Sequence, residues 1–118
     1  MLILVSSCVI KNTDVFVIGH RGARGHVAEN TLASIEKAME LGVDGVEIDV
    51  FRCATGELVV FHDKTLEKLT DGVGYIEQMT LDSIKQFRVL GKEPIPTLNE
   101  VMDLIDGKIQ LNIELKGT

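Results

Sequence analysis

Tryptophan is absent and tyrosine occurs once, so any core this chain builds is mostly aliphatic. Cysteine occurs twice, at Cys8 and Cys53. Two cysteines in 118 residues make no disulfide scaffold, and without a C-x-x-C pair they offer no zinc site. Cys53 reads as a free thiol. Long apolar runs are also missing. No stretch approaches the roughly 20 residues of a membrane-spanning helix, so none is expected. Basic residues are outnumbered, 12 against 18 acidic, for a net charge of −6. A nucleic-acid surface normally carries a basic patch, so nucleic acid is not an expected partner. An anionic small molecule stays open, because one local cation or arginine overrides the global sign. The acidic excess is itself what carboxylates gathered for a metal would leave.

With 45% apolar and 25% charged residues, the chain has the balance of a folded soluble protein. Its length suits one small domain or part of a larger one. Residues 1–14 stand apart. The start, MLILVSSCVI, is apolar without a basic lead, and Val5-Ser6-Ser7-Cys8 is similar to a bacterial lipoprotein cleavage box. The segment reads as a truncated signal or an edge strand, and we favour the first. The compartment is left open between cytoplasm and bacterial envelope.

From residue 15 onward, strand and helix patterns alternate. VFVIGH (15–20) is a short β-rich run. Leu32, Ile35, Ala38 and Met39 recur at helical spacing, with Asn30 as the expected cap and Gly42 as the stop. DGVEIDVF (44–51) and ELVVFH (57–62) read as strands around a turn at Ala54-Thr55-Gly56. Residues 63–74 read as loop, and Thr80 caps a short helix through Phe87. Thr97-Leu98-Asn99-Glu100 is a capping box that opens a helix with Leu98, Val101, Met102 and Ile105 on its apolar face, ended by Gly107. KIQLNIELK (108–116) alternates as a strand. This order predicts an α/β fold with parallel strands. A complete parallel barrel runs to about 250 residues, so we expect residues 15–118 to form roughly the first half of a TIM-type barrel.

Side-chain alternation along strands selects the candidate residues. Glu47 and Asp49 sit two apart, so both carboxylates leave the same face, while Val46, Ile48 and Val50 take the other. The last strand repeats the arrangement, with Asn112, Glu114 and Lys116 opposed to Leu111, Ile113 and Leu115. Carboxylates crowded on one face raise each other's pKa, and a bound cation removes that cost. Three carboxylates and no cysteine suit one hard ion, Mg²⁺ or Ca²⁺. His20 ends the first predicted strand and His62 the third. Strand C-terminal ends are where parallel barrels place chemistry, and paired imidazoles can accept and donate a proton. Arg21 offers a planar fork for phosphate. Lys116 offers a second cation, or a salt bridge to Glu114 or Asp49. His26 reads as an exposed, non-catalytic histidine. The glycines of G-H-R-G-A-R-G lack the dinucleotide-loop spacing.

His20-Arg21-Gly22, Glu29-Asn30-Thr31, Glu47-Ile48-Asp49, His62-Asp63, Ile95-Pro96-Thr97-Leu98-Asn99-Glu100 and Glu114-Leu115-Lys116 occur in one order between Val15 and Lys116. With these six motifs the chain resembles the glycerophosphodiester phosphodiesterase family. The resemblance implies a TIM-type barrel that hydrolyses small-molecule glycerophosphodiesters to glycerol 3-phosphate and an alcohol. It implies Glu47, Asp49 and Glu114 as metal ligands, and His20 and His62 as general base and acid. Arg21 and Lys116 would hold the phosphate, with Glu29 and Asn30 as supporting residues. Ala28 departs from the proline the family usually has before Glu-Asn-Thr. Two other readings compete: a phospholipase of the sphingomyelinase D type, and an inactive or binding fragment that self-associates through open strand edges.

Overall fold

A computed structural model describes residues 15–117, so the segment 1–14, with the signal-or-strand reading and Cys8, lies outside the described residues. Among the described residues, six strands and three α-helices follow in the order β1 (Ile18–His20), α1 (Leu32–Glu40), β2 (Gly45–Arg52), β3 (Leu58–Val60), α2 (Leu81–Ile84), β4 (Arg88–Val89), β5 (Glu93–Pro94), α3 (Leu98–Ile105) and β6 (Gln110–Leu115). A 3₁₀ turn covers Ile76–Gln78. No helix among the described residues is long and apolar enough to cross a membrane.

The centre of the sheet is β2. β1 runs parallel to its first half, with His20 beside Glu47. β6 runs parallel along its other edge, with Glu47 beside Asn112 and Asp49 beside Glu114. The expected alternation holds on β2. Val46, Ile48 and Val50 are buried with Ile35 and Ala38 of α1 and Val101 and Ile105 of α3. Each buried valine or isoleucine among them contributes roughly 1.5–3 kcal/mol. A one-residue slip would therefore lose that layer and drive Glu47 and Asp49 into it.

The expectation of parallel strands fails at β3, which is antiparallel to β2, with Val50 opposite Val60 and Arg52 opposite Leu58. The reason is the connection. A tight turn at Ala54-Thr55-Gly56 can close a hairpin, whereas a parallel return needs a crossover of a dozen or more residues. β3 also stops at Val60, so His62 lies beyond the strand instead of ending it. β1 already occupies the same edge of β2 up to Glu47, and the returning strand must leave before reaching it. Phe61 N makes the last contact, donating to Asp49 O at 2.9 Å. The excursion after β3 packs a second core on this hairpin, in which Phe51, Phe61, Leu66, Ile76, Ile84 and Ile95 are buried. Cys53 lies buried in it as a free thiol.

The helix signals need smaller corrections. Thr31, not Asn30, caps α1: its backbone is extended and its hydroxyl accepts from Ser34 N at 3.1 Å. Asn30 has a left-handed backbone, φ +55°, and cannot take the extended cap conformation. Gly42 follows α1 at φ +80°, as a helix stop should. Thr80 caps α2, which ends at Ile84 instead of Phe87. Both halves of the predicted capping box form at α3, with Thr97 and Glu100 bonded reciprocally. Met102 is 52% exposed and leaves the apolar face of α3, where Val101 and Ile105 are buried and Leu98 and Leu104 pack half-buried against the same core. β6 begins at Gln110 instead of Lys108. Its apolar side is not covered as the pattern implied: Leu111 is half-buried and Leu115 is 77% exposed.

Candidate active site

The residues singled out by alternation meet above β1, β2 and β6. One oxygen from each of Glu47, Asp49 and Glu114 lies within 4.8 Å of the others. Asp49 is 1% exposed, Glu47 is half-buried and Glu114 is exposed, so the cluster grades from interior to rim. All donors are carboxylate oxygens, a set that fits a hard divalent cation.

A sharp turn delivers His20 and Arg21 to this cluster. Arg21 has φ +55° and Gly22 φ +82°. A Cβ on Gly22 would collide with Ser34 Oγ and stand 2.8 Å from the Ser34 carbonyl carbon. Only glycine satisfies both the left-handed backbone and this close approach to α1. Ser34 Oγ donates to Arg21 O at 3.0 Å, and Asn30 N donates to the same oxygen at 2.9 Å. These contacts hold Arg21 in a backbone region that costs about 1–3 kcal/mol for residues other than glycine.

The charges interlock. Arg21 Nη1 donates to Glu29 Oε2 at 2.8 Å, and its Nε stands 3.3 Å from Asp49 Oδ2. Two parts of the fork predicted for phosphate thus face carboxylates. Asn30 Nδ2 donates to Asp49 Oδ2 at 3.0 Å, and Asp49 N donates back to Asn30 Oδ1 at 3.3 Å. Lys116 Nζ lies 2.5 Å from Glu114 Oε2 and 3.7 Å from Asp49 Oδ1, so the salt-bridge alternative is realised, with both carboxylates instead of one. The Lys116 hydrogen bond and charge hold the Glu114 carboxyl below its ordinary range against the opposing effect of burial, with lesser help from His62 and Arg21. The same hydrogen bond, with Asp49, pushes the Lys116 ammonium up against desolvation.

His20 Nε2 stands 3.8 Å from Glu47 Oε1, and Arg21 N donates to that oxygen at 3.4 Å. His62 directly follows Phe61, whose N–H bonds Asp49 O at 2.9 Å, and its Nδ1 meets Asp63 Oδ1 at 2.6 Å. His26 is exposed on the loop after Gly25. Sequence reasoning noticed Asp63 without giving it a role. The signal was its place directly after His62, which lets the two side chains pair.

Residues 20–118 match the family model of the Glycerophosphoryl diester phosphodiesterase family. A glycerophosphodiester phosphodiesterase of Caldanaerobacter subterraneus subsp. tengcongensis is 44% identical over 86% of this chain and 45% of its own length. One from Bacillus altitudinis is 33% identical over 86% and 45%. Among solved structures, an Oleispira antarctica phosphodiesterase in complex with the product sn-glycerol-3-phosphate superposes with a TM-score of 0.82 at 41% identity, covering 86% of this chain and 44% of that one. The glycerophosphodiester phosphodiesterase of Thermotoga maritima gives 0.78 at 36% identity, over 87% and 45%. The chain therefore spans a little under half the length of these relatives, and its sheet is part of a TIM-type barrel. Because the family model matches residues 20–118, nearly the whole chain, the chain belongs to the glycerophosphoryl diester phosphodiesterase family.

Proposed function

We propose that this chain carries the catalytic groups of a phosphodiesterase that hydrolyses glycerophosphodiesters to glycerol 3-phosphate and an alcohol, with one divalent cation, Mg²⁺ or Ca²⁺. The observation that carries the reading is the convergence of Glu47, Asp49 and Glu114 within 4.8 Å, beside His20 and Arg21. When bound by these carboxylates, the cation supplies positive charge against the phosphoryl oxygens.

The protein groups divide the remaining work. A phosphodiester is anionic and repels the oxygen that attacks it. Arg21 and Lys116 add positive charge where negative charge builds at phosphorus. His20 takes the proton of the attacking oxygen, and His62 gives a proton to the alkoxide as its bond to phosphorus breaks. Asp63 supports the second role, because a carboxylate on Nδ1 fixes the ring and leaves Nε2 for the transfer. Over the whole reaction one water is consumed and one alcohol is released.

The test is release of glycerol 3-phosphate from glycerophosphocholine and glycerophosphoethanolamine, in a panel that includes intact phospholipids. Cation-dependent release from a glycerophosphodiester is expected. Turnover of the intact phospholipids alone, or no turnover of any phosphodiester with cation present, would overturn the reading.

A further inference from the structure

Asn30 does not cap the helix beside it, yet it is 1% exposed and both ends of its amide face one residue. Its Nδ2 donates to Asp49 Oδ2 at 3.0 Å, and its Oδ1 accepts from Asp49 N at 3.3 Å. A buried side-chain amide is costly unless its polar atoms are matched, and here the matching partner is a buried carboxylate. The backbone is arranged for this contact. Asn30 adopts φ +55°, a region asparagine enters more readily than most residues, and its N–H is tied to Arg21 O at 2.9 Å.

The consequence falls on the two oxygens of Asp49. Oδ2 is held by Asn30 and faced by Arg21 Nε at 3.3 Å. Oδ1 is turned the other way, toward Lys116 at 3.7 Å, on the side of Glu114. A freely rotating carboxylate would present either oxygen. This one is pinned at one oxygen and along its own backbone.

We propose that Asn30 is a positioning residue for cation binding: it fixes the Asp49 side chain so that Oδ1 alone is offered to a divalent cation shared with Glu47 and Glu114. The inference rests on the cation reading above and adds to it which residue orders the most buried ligand. It also couples the loop after β1 to the cation site, because the residue that orders Asp49 is tied to the Arg21 carbonyl. Groups that orient metal ligands commonly affect metal affinity about 10–100-fold.

The experiment compares Mn²⁺ binding by isothermal titration calorimetry in the unaltered protein, Asn30→Gly and Thr31→Ala, with melting temperatures of all three taken in chelator. Glycine tolerates the left-handed backbone, so Asn30→Gly removes the side chain without adding strain. Thr31→Ala removes the α1 cap next door and touches neither Asp49 oxygen. Asn30→Gly is expected to weaken Mn²⁺ binding at least about tenfold, while Thr31→Ala lowers the melting temperature and leaves affinity within about twofold. Equal affinity in Asn30→Gly and the unaltered protein would overturn the inference and leave the cation reading standing. An equal loss in both variants would overturn it too, as general loosening of the loop. Absence of Mn²⁺ binding by the unaltered protein would instead sink the cation reading itself.

Discussion

His20 and His62 reach the same site along one edge of β2 from opposite directions. β1 climbs that edge in parallel and ends with His20 beside Glu47. β3 descends it antiparallel to Val60; just beyond the strand Phe61 N donates to Asp49 O, and His62 follows one residue later. Only Ile48 of β2 lies between the two contact points. A single strand therefore spaces both histidines and carries two of the three clustered carboxylates.

This arrangement gives the histidines separable tests. His20→Ala and His62→Ala should each lower kcat on a glycerophosphodiester by about 10²–10⁴-fold. Neither lies in a buried core, so the circular dichroism spectrum should be unchanged. Full activity in either variant contradicts the acid–base assignment.

Gly22 is required by space and by backbone. Gly22→Ala would place a methyl group against Ser34 Oγ and backbone at φ +82°. Strain and overpacking together should cost about 3 kcal/mol or more. The urea midpoint should fall accordingly, and an unchanged midpoint would show that the turn can relax.

Arg21→Lys keeps the charge and loses the fork. One ammonium cannot reproduce the Glu29 hydrogen bond and also face Asp49 Oδ2 as the guanidinium does. A stability loss of about 1–3 kcal/mol is expected from the carboxylate left unmatched. Denaturant titration checks it.

Glu100 offers a pH test away from the site. Burial pushes its carboxyl up, but the Lys85 hydrogen bond, the Thr97 amide and the Lys85 charge together hold it below its ordinary value. A depressed carboxyl favours the folded state in its ionised form. That contribution is complete above the unfolded value, about 4.3, and is lost as pH falls through the folded value. Glu100→Gln should therefore be less stable than the unaltered protein at pH 7, with the gap closing below about pH 4. A gap independent of pH would assign the effect to packing.

Much of the site was legible because strand alternation and turn chemistry are local. Glu47 and Asp49 share a face by parity, and the Thr97–Glu100 box follows from residue types three apart. The direction of β3 depended on reading the short turn at 54–56 as a hairpin, which a strand-helix count overlooks. Asn30 looked like a cap because asparagine favours both caps and left-handed backbone. Its partner, Asp49, is 19 residues away, and no local pattern links them. The exposure of Leu115 depends on what packs against β6, which alternation alone does not encode.

The central claim is that Glu47, Asp49 and Glu114 hold one divalent cation. The direct measurement is an anomalous difference map from crystals of the protein grown with Mn²⁺. One strong peak bound by oxygens of all three carboxylates, and lost in Asp49→Asn, is the expected result. A map at full Mn²⁺ concentration without a peak at these residues would contradict the claim.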